Sequence, residues 1–219
     1  MSPRQTESLL DPLLEWYEMN GRHDLPWREP ERSAFQLLIA EILLQKTRAE
    51  AVTGAYVPLM ARYPTPEAFV SAPIDEIEGR ISSLGLSKRA AYIRRCSRQL
   101  LARHGGTVPR TCSELLDLHG VGEYTARSVL IHTGREGISA VDSDVERLLS
   151  RFFGFDPADR DVQSTVDQLA PPKRSSDFLH GMLDFAAEVC TPRSPRCSDC
   201  PLKPDCASAH DFADGGASE

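Results

Sequence analysis

Residues 118–130 read LHGVGEYTARSVL: two glycines around one valine, then a run with apolar side chains at helical steps. Gly120 and Gly122 are expected to take backbone angles closed to other residues, which makes the turn tight. A helix starting near Glu123 would then point its N-terminus into that turn. Bare backbone N–H groups and a helix end together make a site for one phosphate. The contact needs no charged side chain.

Working outward, almost every periodic segment reads as helix. LLDPLLEWYEM, AFQLLIAEILLQ, AEAVTGAYVPLMARY, PEAFVSA, PIDEIEGRISSL, KRAAYIRRCSRQLLARHG, CSELLDLHG and DVERLLSRFFG repeat apolar residues every three or four positions. Many start at Ser, Thr, Asp or Pro and end at Gly. No strand alternation and no fixed-period repeat stands out, so the expected class is all-α. No apolar run reaches the roughly 18 residues of a membrane helix. The N-terminus lacks a signal-peptide core, and a cytoplasmic protein without membrane contact is expected. The stretch 211–219 reads as a flexible acidic tail.

A net charge of −7 and a pI near 5.4 exclude a generally basic nucleic-acid coat. The sign is uneven, however. Lys88 to His104 holds Lys88, Arg89, Arg94, Arg95, Arg98 and Arg103 with no acid. That run is either one solvated helix face or a local footprint for phosphates.

Four of the six cysteines crowd into CTPRSPRCSDCPLKPDC as Cys190, Cys197, Cys200 and Cys206, spaced C-x6-C-x2-C-x5-C. Disulfides are disfavoured in an intracellular chain, so a metal centre is the reading. One short pair between two longer arms suits wrapping a cubane better than gripping one tetrahedral ion. Prolines 192, 195, 201 and 204 stiffen the loop and leave the remaining N–H groups to face the sulfurs. Cys96 and Cys112 stand alone in helical patterns and read as small buried hydrophobes.

Two acids attract notice. In AVDSDVERLLSRFFG, Ser143 and Glu146 form an S-x-x-E capping box, so a helix is expected from about Asp144. Asp142 then lies just outside its N-terminus, where the helix dipole should keep it ionised. It is either one more cap residue or an anion poised for chemistry. Glu41 sits inside the apolar AFQLLIAEILLQ. It is either on that helix's polar edge or a pocket acid with a raised pKa, suited to proton donation.

The cysteine spacing and the L-H-G-V-G-E-Y-T-A of residues 118–126 resemble the endonuclease III superfamily of helix–hairpin–helix DNA glycosylases. The resemblance covers about residues 10–206. His119 departs from the family's usual proline and adds a further phosphate donor. The family implies two helical lobes: a barrel over 27–138 with its hairpin at 113–130, and a [4Fe–4S] lobe from 1–26 plus 139–210, with DNA across the cleft between them. It implies Asp142 as catalytic carboxylate, stabilising the sugar cation or orienting a water, with Asp144 the lesser candidate. Glu41 matches the acid that meets the departing base.

Bifunctional members carry a lysine where this chain has Tyr124, and tyrosine cannot form their imine. That implies a monofunctional enzyme with little or no strand cleavage. Tyr124 would line the base pocket, or it is an ordinary half-buried helix tyrosine. LPWR (25–28), EILLQKT (41–47), GLSKRA (85–90), GGTVPR (105–110) and residues 177–197 look like the Mig-type mismatch thymine/uracil glycosylases. The adenine branch shares LPWR and E-x-x-L-Q but commonly has Ser in place of Tyr124 and carries a further C-terminal domain. The implied activity is hydrolysis of thymine or uracil from mispairs with guanine. Adenine excision and a non-catalytic iron–sulfur DNA-binding protein are the rivals.

The implied partner is double-stranded DNA holding a mismatched or damaged base, bound by a monomer at the nucleoid. Extruding that base leaves a gap to fill. Gln45 matches the family's wedge position, and Leu84 is a candidate to push from the other side. Lys88, Arg89, His119, Gly120, Val121, Gly122 and Thr125 complete the expected DNA contacts.

Overall fold

The computed structural model describes residues 3–85 and 88–211. Of the tail expected at 211–219, residues 212–219 lie outside the described residues. Among the described residues the secondary structure is helical, with no strand. In chain order the helices are α1 (Pro3–Asn20), α2 (Ala34–Leu44), α3 (Ala49–Arg62), α4 (Pro66–Ser71), α5 (Ile74–Ile81) and α6 (Lys88–His104). They continue as α7 (Cys112–Leu116), α8 (Glu123–His132), α9 (Ser143–Phe153), α10 (Val162–Leu169) and α11 (Ser175–Glu188). Helices α10 and α11 fall where periodicity named none. The first has eight residues, and His180 and Asp184 interrupt the buried stripe of the second.

The chain divides into two compact units, His23–Gly134 and Met1–Arg22 with Arg135–Glu219. In His23–Gly134 the organising element is α2. A capping box starts it: Ser33 Oγ accepts from the Gln36 amide, and Gln36 Oε1 accepts from the Ser33 amide. Phe35 and residues 37–43 are all buried. A helix apolar on every side belongs inside, and α3, α6 and α8 pack around it. Tyr56 of α3 donates to the Gln36 carbonyl at 3.2 Å and meets the Trp27 ring edge-on. Phe69 of α4 closes the far side against Phe35 and Tyr63.

In the other unit α11 is central, packed by α1 and α9. Gly181 permits the close approach of α1, since a Cβ there would lie 3.3 Å from the Tyr17 Cβ. Trp16 packs edge-on against Phe185. Asp184, fully buried on α11, accepts from the Arg22 amide at 2.9 Å, from its Nε at 2.8 Å and from its Nη2 at 2.6 Å. These bonds fasten the residue following α1 to α11. Asp184→Asn is expected to destabilise the protein by about 3 kcal/mol, because a charge-assisted fork loses its anion inside the core. Urea denaturation of the two proteins measures the loss.

Candidate functional site

The hairpin is built from α7, the turn 117–122 and α8. Thr111 caps α7 by accepting from the Glu114 amide. Gly120 has φ +85°, in the left-handed region that favours glycine. Gly122 differs from expectation: its φ of −103° and ψ of 179° are open to any residue. What it contributes is the absence of a side chain. It is the exposed N-cap of α8, makes no side-chain cap bond, and a Cβ there would meet nothing within 4 Å. Nothing from the cap residue thus covers the first turn of α8, which can receive an anion.

Neighbouring side chains hold the turn. Gln99 of α6 accepts from the His119 amide at 2.7 Å and donates to the Asp117 carbonyl at 2.9 Å. The His119 ring stands edge-on to Tyr92. Gln45, just past α2, donates to the Gly120 carbonyl at 2.8 Å and to Thr125 Oγ1 at 3.2 Å. Val121 and Thr125 are buried.

Glu41 is buried on the face of α2 toward α8, and Ser128 Oγ donates to its Oε1 at 2.9 Å. Tyr124 and His132 lie one turn either side of Ser128 and share its face of α8. Tyr124 is half-buried. Burial, helped by the Arg28 charge, pushes the His132 imidazole down to about 4, so it is neutral at pH 7. Ser128, His132 and Arg28 were not singled out from the sequence. Positions four and eight after Tyr124 on one helix were the available signal.

Asp142 belongs to the other unit and is itself the N-cap of α9, which begins at Ser143. Its Oδ1 accepts from the amides of Asp144 at 2.9 Å and Val145 at 2.8 Å. The expected cap, Ser143, is instead the exposed first residue of the helix. Asp and Ser cap about equally well, so the chain path rather than residue type gives the aspartate the position. Asp142 Oδ2 has no hydrogen bond among the described residues. Burial holds the carboxyl above its ordinary 3.8, although the Val145 and Asp144 amides and Arg147 pull the other way. Desolvation thus outweighs the helix end in the direction of the shift.

In the same unit Cys190, Cys197, Cys200 and Cys206 line one pocket, floored by Leu148, Phe152 and Phe185. None is in a disulfide. Among the described residues no three His, Cys, Asp or Glu side chains are placed to hold one metal ion. Four thiols around an apolar-floored cavity fit an iron–sulfur cubane. Arg151 of α9 organises the loop, donating to the carbonyls of Thr191 and Pro192 at 2.8 Å and lying 3.6 Å from Cys190 Sγ. Arg147 donates to the carbonyls of Cys190 and Ala186 and to Asp144. Cys96 is a different kind, fully buried in α6 with its thiol pushed up to about 12 by burial, whereas Cys112 is only half-buried.

Residues 39–172 match the HhH-GPD superfamily base excision DNA repair protein family, and residues 190–206 match the iron-sulfur binding domain of endonuclease III. The chain belongs to the HhH-GPD superfamily. A thymine-DNA glycosylase of Aeropyrum pernix is 36% identical, over 91% of this chain and 93% of that one. A thymine/uracil-DNA glycosylase of Pyrobaculum aerophilum is 34% identical, over 88% and 87%. An adenine DNA glycosylase of Mycolicibacterium smegmatis is 35% identical, over 87% of this chain and 66% of that one. Among solved structures, a thermostable thymine-DNA glycosylase superposes with a TM-score of 0.88 at 30% identity, covering 95% of this chain and 98% of that one. A non-covalent endonuclease III–DNA complex gives 0.83 at 30% identity, over 96% and 98%.

The fold is that of an HhH-GPD base excision repair glycosylase, a DNA-acting enzyme class that hydrolyses N-glycosidic bonds, and its cysteine loop is a [4Fe–4S] loop. The structure places the residues expected to contact DNA in different surroundings. Arg89 is buried, donating Nη1 to the Leu43 carbonyl at 2.5 Å and to Thr47 Oγ1 at 2.9 Å, so it ties α6 to the end of α2. Thr125 and Val121 anchor the hairpin from inside. Leu84 is a buried residue of a 3-10 turn. Lys88 is exposed, as are Arg95, Arg98 and Arg103. Among the described residues no helix is long and apolar enough to cross a membrane.

Two outcomes follow from these contacts. Arg151→Ala releases iron to a chelator about tenfold faster than the parent protein, since support behind a ligand carries affinity of that order; iron and acid-labile sulfide assays follow it. The raised Asp142 pKa means the folded state holds that proton more firmly than the unfolded chain. Its contribution favours folding at pH below the unfolded value and is lost as pH rises through the folded value. Asp142→Asn keeps a competent cap and removes the buried charge. Its stability is expected to equal or exceed the parent's at pH 8, with the difference shrinking as pH falls through the raised folded value, by urea denaturation.

Proposed function

We propose that the protein removes thymine or uracil mispaired with guanine in double-stranded DNA, by hydrolysis of the N-glycosidic bond without cutting the strand. The observation that carries the chemistry is Asp142. Its Oδ1 is held by two amides while Oδ2 makes no bond among the described residues. A carboxylate fixed by one oxygen can turn the other to a sugar cation or to an attacking water. Burial that raises its pKa makes it a better base than an exposed aspartate. Glu41, buried and hydrogen-bonded, is the acid that meets the departing base. Tyr124 lines the pocket, and its phenol has no amine to form an imine, which leaves water as the nucleophile.

The bare first turn of α8 grips one phosphate, with Gly120, Gly122 and the half-buried His119 around it. Lys88, Arg95 and Arg98, which recur at helical spacing on the exposed side of α6, add salt-sensitive contacts. Gln45 fills the gap left by the extruded base, for which it must leave the Gly120 carbonyl. The cluster orders the loop that carries it, and the protein works as a monomer on nucleoid DNA. The choice of pyrimidine rests on the names of the Aeropyrum and Pyrobaculum relatives. Adenine is the second reading, because an adenine glycosylase is nearly as similar.

Incubation with T·G, U·G, A·G and A·8-oxoguanine duplexes, followed by alkali, separates these readings. Thymine and uracil release is expected, with nicks only after alkali. Asp142→Asn is expected to slow excision about a thousandfold or more with duplex affinity nearly unchanged. Release of adenine alone overturns the pyrimidine assignment, and no release from any duplex overturns the enzyme.

A further inference from the structure

Ser128 is out of place by ordinary helix rules. Serine is a mediocre helix former, and a buried one in mid-helix normally satisfies its hydroxyl on its own backbone four residues earlier. Other hydroxyls in the same unit do so. Thr53 donates to the Ala49 carbonyl at 3.1 Å, Ser97 to Ile93 at 2.9 Å and Thr133 to Val129 at 2.8 Å. Ser128 is fully buried and is followed by Val129, Leu130 and Ile131, so an alanine or valine would pack there without a polar group. Its hydroxyl instead crosses from α8 to α2 and donates to Glu41 Oε1 at 2.9 Å.

The acceptor is a long side chain with three torsions, on a helix otherwise buried among apolar neighbours. A carboxylate that exchanges a proton or hydrogen bond with a base must be aimed to within a fraction of an ångström. Ser128 sits one turn beyond Tyr124 on the same face of α8, so the donor that aims Glu41 is fixed to the helix that carries the pocket tyrosine. We propose that Ser128 is a positioning residue for the glycosylase reaction, orienting the Glu41 carboxylate toward the departing base through this hydroxyl bond. The inference rests on the reading of Glu41 as the acid that meets the base.

The test is a double-mutant cycle in the full-length protein, on whichever duplex of the panel above is cleaved fastest. Ser128→Ala, Glu41→Gln and the double variant are compared for single-turnover excision, duplex affinity and melting temperature. Ser128→Ala is expected to slow excision about tenfold with affinity unchanged, the order of one buried hydrogen bond. Added to Glu41→Gln it should cost nothing further, because the group it aims is already gone. Ser128→Thr, which keeps the hydroxyl, should restore most of the rate. If alanine impairs folding, Ser128→Cys supplies a weaker donor of similar size and should lie between alanine and the parent. A parental rate for Ser128→Ala or Ser128→Cys, or additive losses in the double variant, overturns the inference while Glu41 keeps its role. A parental rate for Glu41→Gln overturns the reading of Glu41 and the inference with it.

Discussion

Burial of α2 on every side is the constraint from which the rest of its unit follows. A helix with Phe35 and residues 37–43 all excluded from water must be wrapped, and α3, α6 and α8 do the wrapping. The same wrapping delivers function. Glu41 can face α8 only because α8 packs along α2, and the hairpin can be held by Gln45 only because α2 ends beside it. Arg89 fixes that end by filling the Leu43 carbonyl, one of the last-turn carbonyls that a helix leaves unsatisfied. Core packing and site geometry are therefore one problem in this unit.

The site residues are bought at some cost in stability. Asp142 would be ionised more easily on the surface, and an asparagine would cap α9 nearly as well. Ser128 places a hydroxyl where a methyl would pack. Such local inconsistencies between a residue and its place are where function departs from folding. By contrast Asp184 is fully buried, yet Arg22 forks onto it and it needs no further explanation. Both oxygens of Asp184 are filled by Arg22, whereas the half-buried Asp142 is held through Oδ1 alone among the described residues.

Much of this was legible in the chain because it rests on local rules. The glycine at 120, the four-cysteine spacing and the apolar α2 each have one physical reading, and the structure places them accordingly. What was not legible depends on tertiary neighbours. The helix start after Asp142 has two adjacent residues able to cap, and only the path of the chain chooses the aspartate over Ser143. Gly122 looked equivalent to Gly120, but one needs a left-handed backbone and the other an empty Cβ position. Arg89 and Lys88 are neighbours in one basic run, yet a 100° step around α6 separates the interior from solvent. Helix α11 hid because His180 and Asp184 occupy its buried face.

An acidic chain that holds DNA must do so without a broad positive surface. At −7 the net field opposes a polyanion at long range, but the Debye length at physiological salt is only about 8 Å. Inside that distance local donors decide. The first turn of α8 contributes backbone dipoles that carry no net charge and need no neighbouring acid to balance them. The exposed face of α6 adds cations where no acid stands in the sequence between Lys88 and His104. On the proposed reading, binding favours the register in which both are engaged, since a phosphate held by amides fixes a register more sharply than a flexible lysine could.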